Sequence, residues 1–248
     1  MLAAVAAAAS VAIGLGVLCG WAFDISVLRS GVPGLTATHP WSAVLLIVCG
    51  LAVMSAAYGS QSGHYLAQGC AFVALFVAGQ ALAQNAVGLD LGIERWLFAE
   101  ALARERPQDA GVSRISEIAA LIFVLGAVAL LLSRARSRAL QNAFVTAATI
   151  GLLLAASVSV GFLFDLRAIH GSTLYEHLSL PRSLGQTAAA FGILCLGPDL
   201  GWMQLLSGSS PAPRELRSLA IGVITLPLAL AIILQLGFRG GLYESEVR

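Results

Sequence analysis

The residues of this chain that could do chemistry stand near the ends of long apolar runs. Gln80 and Gln84 are four apart, so on a helix they share one face. Glu117 opens one apolar run and Gln186 lies at the start of another. Asp24, His39, Asp165, Arg167 and His170 stand at neighbouring depths. Polar side chains at membrane depth are functional candidates by default. Asp24, His39, Gln80, Gln84, Glu117, Asp165, His170 and Gln186 could therefore line one outward-facing polar pocket. The plainer reading, which these residue types favour, is that they cap helices and hydrogen-bond between them. Each such bond in a membrane contributes about 1 kcal/mol or less.

Other chemistries lack their residues. The histidines His39, His64, His170 and His177 all fall at loop positions, too scattered to hold haem or a metal. Cys19, Cys49, Cys70 and Cys195 each stand alone in an apolar run, with no CxxC pair, and read as buried free thiols. No Ser-His-Asp spacing, HExxH or nucleotide-phosphate loop is present. Gly14-Leu15-Gly16 and Gly240-Gly241 read as packing or turn glycines. The expectation is no catalytic centre, no metal and no cofactor. A net charge of +1, without a long basic run, gives no pull on nucleic acid.

The elements that position these residues follow from composition. The chain is 58% hydrophobic and only 11% charged, with mean hydropathy +0.86. A soluble domain carries about 25% charged residues, so this chain could not coat itself in water. A membrane-crossing helix needs about 20 mostly apolar residues. Candidates are residues 3–23, 41–58, 65–84, 115–133, 140–164, 184–196 and 219–238. The runs are too long for strands and lack alternation. The fold class expected is therefore all-α, with about seven transmembrane helices in a single polytopic domain spanning 1–248. The uncharged, alanine-rich start reads as a retained first helix, not a signal peptide. Pro227 would kink the seventh helix.

Connections alternate in length. Residues 59–64 and 134–138 are short; 24–40, 85–114 and 165–182 are long; 197–217 is a longer member of the short-loop side. The acid-free cluster Arg134, Arg136 and Arg138, joined by Arg214 and Arg217, forms a basic face expected to be cytoplasmic. The long-loop side holds more arginines in total, which opposes this choice by raw count. With that orientation the N-terminus is cytoplasmic and the C-terminus periplasmic. Within the second long loop, Leu89, Ile93, Trp96, Leu97 and Leu102 recur at roughly helical spacing opposite Asp90, Glu94, Arg95 and Glu100. That pattern predicts an interfacial amphipathic helix, built on Ile93, Trp96 and Leu97, with Trp96 at headgroup depth.

The odd-numbered runs end alike: Gly20-Trp21-Ala22-Phe23-Asp24, then Gly88-Leu89-Asp90, then Gly161-Phe162-Leu163-Phe164-Asp165. A period of roughly 70 residues suggests repeated helical hairpins. The hairpins would be 1–60, 61–136 and 137–200, with an unpaired last helix at 218–238.

These segments resemble the multi-pass N-terminal membrane region of bacterial sensor histidine kinases, hybrid kinases and diguanylate cyclases. The resemblance rests on Gly20, Trp21 and Asp24, and on Gly88-Leu89-Asp90-Leu91-Gly92-Ile93-Glu94-Arg95-Trp96-Leu97-Phe98. It rests also on Gly201-Trp202-Met203-Gln204-Leu205-Leu206-Ser207-Gly208 before the basic Arg214 and Arg217, and on Gly241-Leu242-Tyr243. The family's Pro-Asn-Thr-Ala helix start survives here only as Ser42-Ala43 and Thr187-Ala188. The resemblance implies a non-catalytic sensory or regulatory module of the bacterial inner membrane, with the 201–217 loop cytoplasmic. No counterpart of that family's final helix and output domain is expected within these 248 residues, whether they are a fragment or a shortened form. Two other readings stand beside it. One is an accessory or scaffold subunit, with other membrane chains or further copies as partners besides the lipid bilayer. The other is a small transporter, disfavoured because no deep charge marks an ion path and the repeats look parallel rather than inverted.

Overall fold

The computed structural model describes residues 1–32, 35–87, 96–98, 100–102, 115–163, 179–204, 215 and 218. Among the described residues all regular structure is helical: α1 (Leu2–Ala22), α2 (Ser26–Ser30), α3 (Pro40–Ala57), α4 (Gln61–Val87), α5 (Glu117–Leu132), α6 (Arg138–Leu163) and α7 (Leu180–Leu194).

Local chemistry sets the helix ends. Pro40 lies in the first turn of α3, where its missing N–H costs nothing. His39 precedes it in extended conformation, and its Nδ1 accepts the Trp41 N–H at 3.3 Å. The α3–α4 turn needs Gly59 at φ +70°, after which Ser60 Oγ accepts the Gly63 N–H at 3.0 Å and starts α4. Ser137 Oγ caps α6 in the same way through Leu140 N, at 3.3 Å. α1 stops where Asp24 takes φ +56°, a left-handed conformation that aspartate tolerates better than most residues.

Packing follows chain order. α3, α5 and α7 touch one another at the centre. α1 fills the outer groove between α3 and α7, α4 that between α3 and α5, and α6 that between α5 and α7. The core is rich in alanine: Ala7, Ala52, Ala71, Ala74, Ala78, Ala120, Ala127 and Ala155 are wholly buried. In lipid, where apolar burial gives little drive, such small side chains let helices approach and gain dispersion contacts. A Cβ on Gly14 would stand 2.7 Å from the Ala43 carbonyl, and one on Gly50 would stand 2.8 Å from the Ala7 carbonyl, so α1 and α3 meet backbone to backbone.

Four helices, Leu2–Ala22, Pro40–Ala57, Gln61–Val87 and Arg138–Phe162, are long and apolar enough to cross a membrane. α5 is apolar but has 16 residues. α7 has 15 and carries Arg182, Ser183 and Gln186 on buried positions. Both fall short of the roughly 20 residues that a lone lipid-facing span requires. The seventh expected span, 219–238, lies outside the described residues, as does its Pro227.

Candidate functional site

Described residues of the connections expected to be long make hydrogen bonds near the helix ends. Trp21 Nε1 donates to the Thr38 carbonyl at 2.8 Å, and Thr38 and Ser179 share a hydroxyl–hydroxyl hydrogen bond of 2.7 Å. All three residues are buried. Asn85 Nδ2 reaches the Ile115 carbonyl at 3.0 Å, drawing the end of α4 to the entrance of α5. The Gly31 turn lies against the Pro181 ring at the start of α7.

The short helix α2, not foreseen from the sequence, places Arg29 here. Its guanidinium lies 4.9 Å over the Trp21 ring and 2.7 Å from the Asp24 carboxylate. Arg29 is buried, whereas the Asp24 side chain is 84% exposed, so most of the pair's Coulomb energy is screened. The cation–π contact and the buried stem hold Arg29 more firmly than its partner does. Arg182 is also buried, at the first turn of α7. In the sequence its charge suggests a loop; only its position directly after Pro181 marks a helix start.

The expected pocket residues divide. Gln84, Gln186 and His39 are buried. Gln186 Nε2 donates to the Ala119 carbonyl at 2.9 Å, joining α7 to α5 across the centre. Gln80 is half-buried, one turn before Gln84. Asp24 and Glu117 are exposed. Asp165 and His170 lie outside the described residues. Ser42 and Ser116, not singled out for this role beforehand, have buried hydroxyls without a hydrogen-bond partner among the described residues. Ser42 shares its face of α3 with Leu45, Leu46 and Cys49, and all of these are buried.

Further clips run along the helices. Ser10 Oγ donates to the Leu46 carbonyl at 3.0 Å. Gln68 Nε2 lies 3.4 Å from the Leu130 and Leu131 carbonyls. Ser159 and Thr187 pair α6 with α7 at 3.2 Å. Each is a neutral hydrogen bond, the kind that fixes helix register at modest energy.

Of the expected interfacial helix, Ile93 lies outside the described residues, while Trp96 and Leu97 form a bend. Trp96 is exposed, and Phe98 folds back to within 6.3 Å of the Trp21 ring, centroid to centroid. Phe98, Ala101 and Leu102 pack beside Val17, Trp21 and Ala43.

At the other end, Arg134, Arg136 and Arg138 are exposed together, and Arg134 Nη2 donates to the Gly59 carbonyl at 3.2 Å, joining the two short turns. Arg214 and Arg217 of the expected basic face lie outside the described residues. Among the described residues no three His, Cys, Asp or Glu side chains come together as a metal site. Among the described residues, buried polar contacts tie the start of α3 to that of α7, and α7 to α5. Compared with family models, with curated proteins and with solved structures, the chain matches none.

Proposed function

We propose that the chain is a non-catalytic sensory module of the bacterial inner membrane, in which a change at the long-loop face is relayed to the basic short-loop face. In this reading the described helices form three hairpins, α1–α3, α4–α5 and α6–α7, each with its second helix at the centre, and residues 219–238 add a seventh crossing. The observation that carries it is the polar fastening of the inner helices near one end. Thr38–Ser179 joins the start of α3 to that of α7, and Gln186 joins α7 to α5. Breaking or tightening such clips favours one of two packings, which is how small shifts become helix movements. The resemblance to sensor-kinase membrane regions agrees with this role.

The test is a lock. Cysteines replacing Thr38 and Ser179 stand close enough to form a disulfide, because the two hydroxyls already touch. In nanodiscs the oxidised Thr38→Cys, Ser179→Cys protein is expected to show altered amide-exchange protection around residues 134–138 and 198–204. The reduced form reverses the change. Identical protection in oxidised and reduced protein would end the relay reading.

A second reading, an accessory subunit, is favoured by the outward face of α1. Ala8 and Ala12 are exposed there, and nothing lies within 4 Å of a Cβ on Gly16. Helix pairs in lipid use such small-residue stripes. Purification in mild detergent separates the readings: a stoichiometric partner chain that is lost in Ala12→Ile supports the subunit, and a lone chain opposes it.

A further inference from the structure

Beside the short loops, the first turn of α6 and the turn after α7 border an open cavity of about 380 Å³, lined by Arg138, Gln141, Asn142, Asp199 and Gln204 among others. Its walls are held in place. Gly201, at φ +54°, lets the turn lie against Val145, where a Cβ would come within 2.9 Å of Cγ1. A Cβ on Gly197 would meet the Phe144 ring at 2.7 Å. Trp202 Nε1 donates to Thr149 Oγ1 at 2.9 Å, which pins the turn to α6. Gln141 Nε2 is engaged with the Ala135 carbonyl at 3.1 Å, so its carbonyl oxygen is the end left to accept.

Opposite charges face this cavity. Arg138 brings a guanidinium at the N-terminal, positive end of the α6 dipole, an arrangement suited to a phosphate. Asp199 brings a carboxylate, and Gln141, Asn142 and Gln204 bring amide oxygens, which suit an ammonium that donates several hydrogen bonds. A simple anion would be repelled by Asp199 and a simple cation by Arg138. Residues that favour the membrane–water boundary are near it in the chain: Trp202 follows Gly201 of the lining, and Arg134 and Arg136 precede Arg138. Resting on the membrane reading above, but not on the sensory one, we propose that this cavity holds the headgroup of a phospholipid whose phosphate is followed by a primary ammonium, as in phosphatidylethanolamine. A quaternary ammonium fits the charge but cannot donate hydrogen bonds to Asp199, and a glycerol headgroup brings no cation.

The experiment is native mass spectrometry of the delipidated full chain. It is offered ethanolamine, choline and glycerol phospholipids with the same acyl chains, and soluble phosphoethanolamine in a separate arm. Ethanolamine lipid is expected to be retained about tenfold over choline lipid, the equivalent of one charge-assisted hydrogen bond. Asp199→Asn brings the two lipids to parity. Arg138→Gln lowers retention of every phospholipid. Arg136→Gln, a change outside the cavity lining, keeps the preference. Equal retention of the three lipids by the native chain, preference for the glycerol lipid, or an undiminished preference in Asp199→Asn each overturns the proposal. So does soluble phosphoethanolamine binding as tightly as the lipid, which would make the site one for a free metabolite. Unchanged circular dichroism of the variants keeps a loss of binding from being read as a loss of fold.

Discussion

Trp21 illustrates how one side chain joins several parts of this molecule. Its indole N–H satisfies the Thr38 carbonyl, its face receives Arg29, and its edge meets Phe98. Trp21→Phe keeps most of the apolar bulk but leaves the Thr38 carbonyl short of a donor. The expected loss is about 1 kcal/mol of stability, read as a lowered thermal midpoint in detergent. Asp24→Asn is expected to change that midpoint little, within about 0.5 kcal/mol, because its carboxylate is solvent-facing and asparagine also accepts the left-handed backbone. Gln186→Leu removes the α7–α5 clip and is expected to cost about 0.6 kcal/mol, the average for such bonds between membrane helices. Glu117→Gln, at an exposed position, is expected to leave the midpoint within about 0.5 kcal/mol, in contrast to Gln186→Leu.

Between helices, the decisive contacts are where glycines allow close crossing. Gly14 of α1 faces α3, and Gly50 of α3 faces α1, each with a carbonyl of the other helix inside van der Waals distance of a would-be Cβ. Gly14→Ala and Gly50→Ala should each destabilise by about 1–3 kcal/mol through overpacking, measured by thermal unfolding in detergent. Gly16→Ala, two residues along but in open space, should be neutral or stabilising, because alanine favours the helix. Much of this level was legible in the sequence. The runs at 3–23 and 41–58 came within a residue of α1 and α3, because hydropathy reports apolar helices directly. α7 begins at Leu180, ahead of the apolar run that starts at 184, because its first turn holds the polar Arg182 and Ser183. They are polar residues turned toward neighbouring helices, and a hydropathy window cannot tell which neighbour shields a side chain. α2 was missed for another reason: five residues are too few to show a period. That Asp24 and Glu117 are exposed while Gln84 and Gln186 are buried was not legible, because sequence gives depth along a helix but not the direction a side chain faces across the bundle.

For the molecule as a whole, the pairing of connections makes a topological prediction. In a background with the native cysteines replaced by alanine, Ser60→Cys and Ser137→Cys should react with an impermeant maleimide from one side of sealed vesicles. Val32→Cys and Trp96→Cys should react from the other. Labelling of Ser60→Cys and Val32→Cys from the same side would refute the alternation. The ring of helices has one more consequence, which concerns synthesis. Its closure brings α1 against α7, and its polar clasp joins Thr38 to a residue 141 positions later. At the usual ribosomal pace of about 5–20 residues per second, Thr38 waits roughly 7–28 seconds for Ser179 to be made. During that interval the sides of α1 and α3 that will meet α7 have α7 still to come. A chain truncated before Ser179 is expected to lack that cover and to be cleared faster than the full chain, which a pulse-chase of both forms would measure.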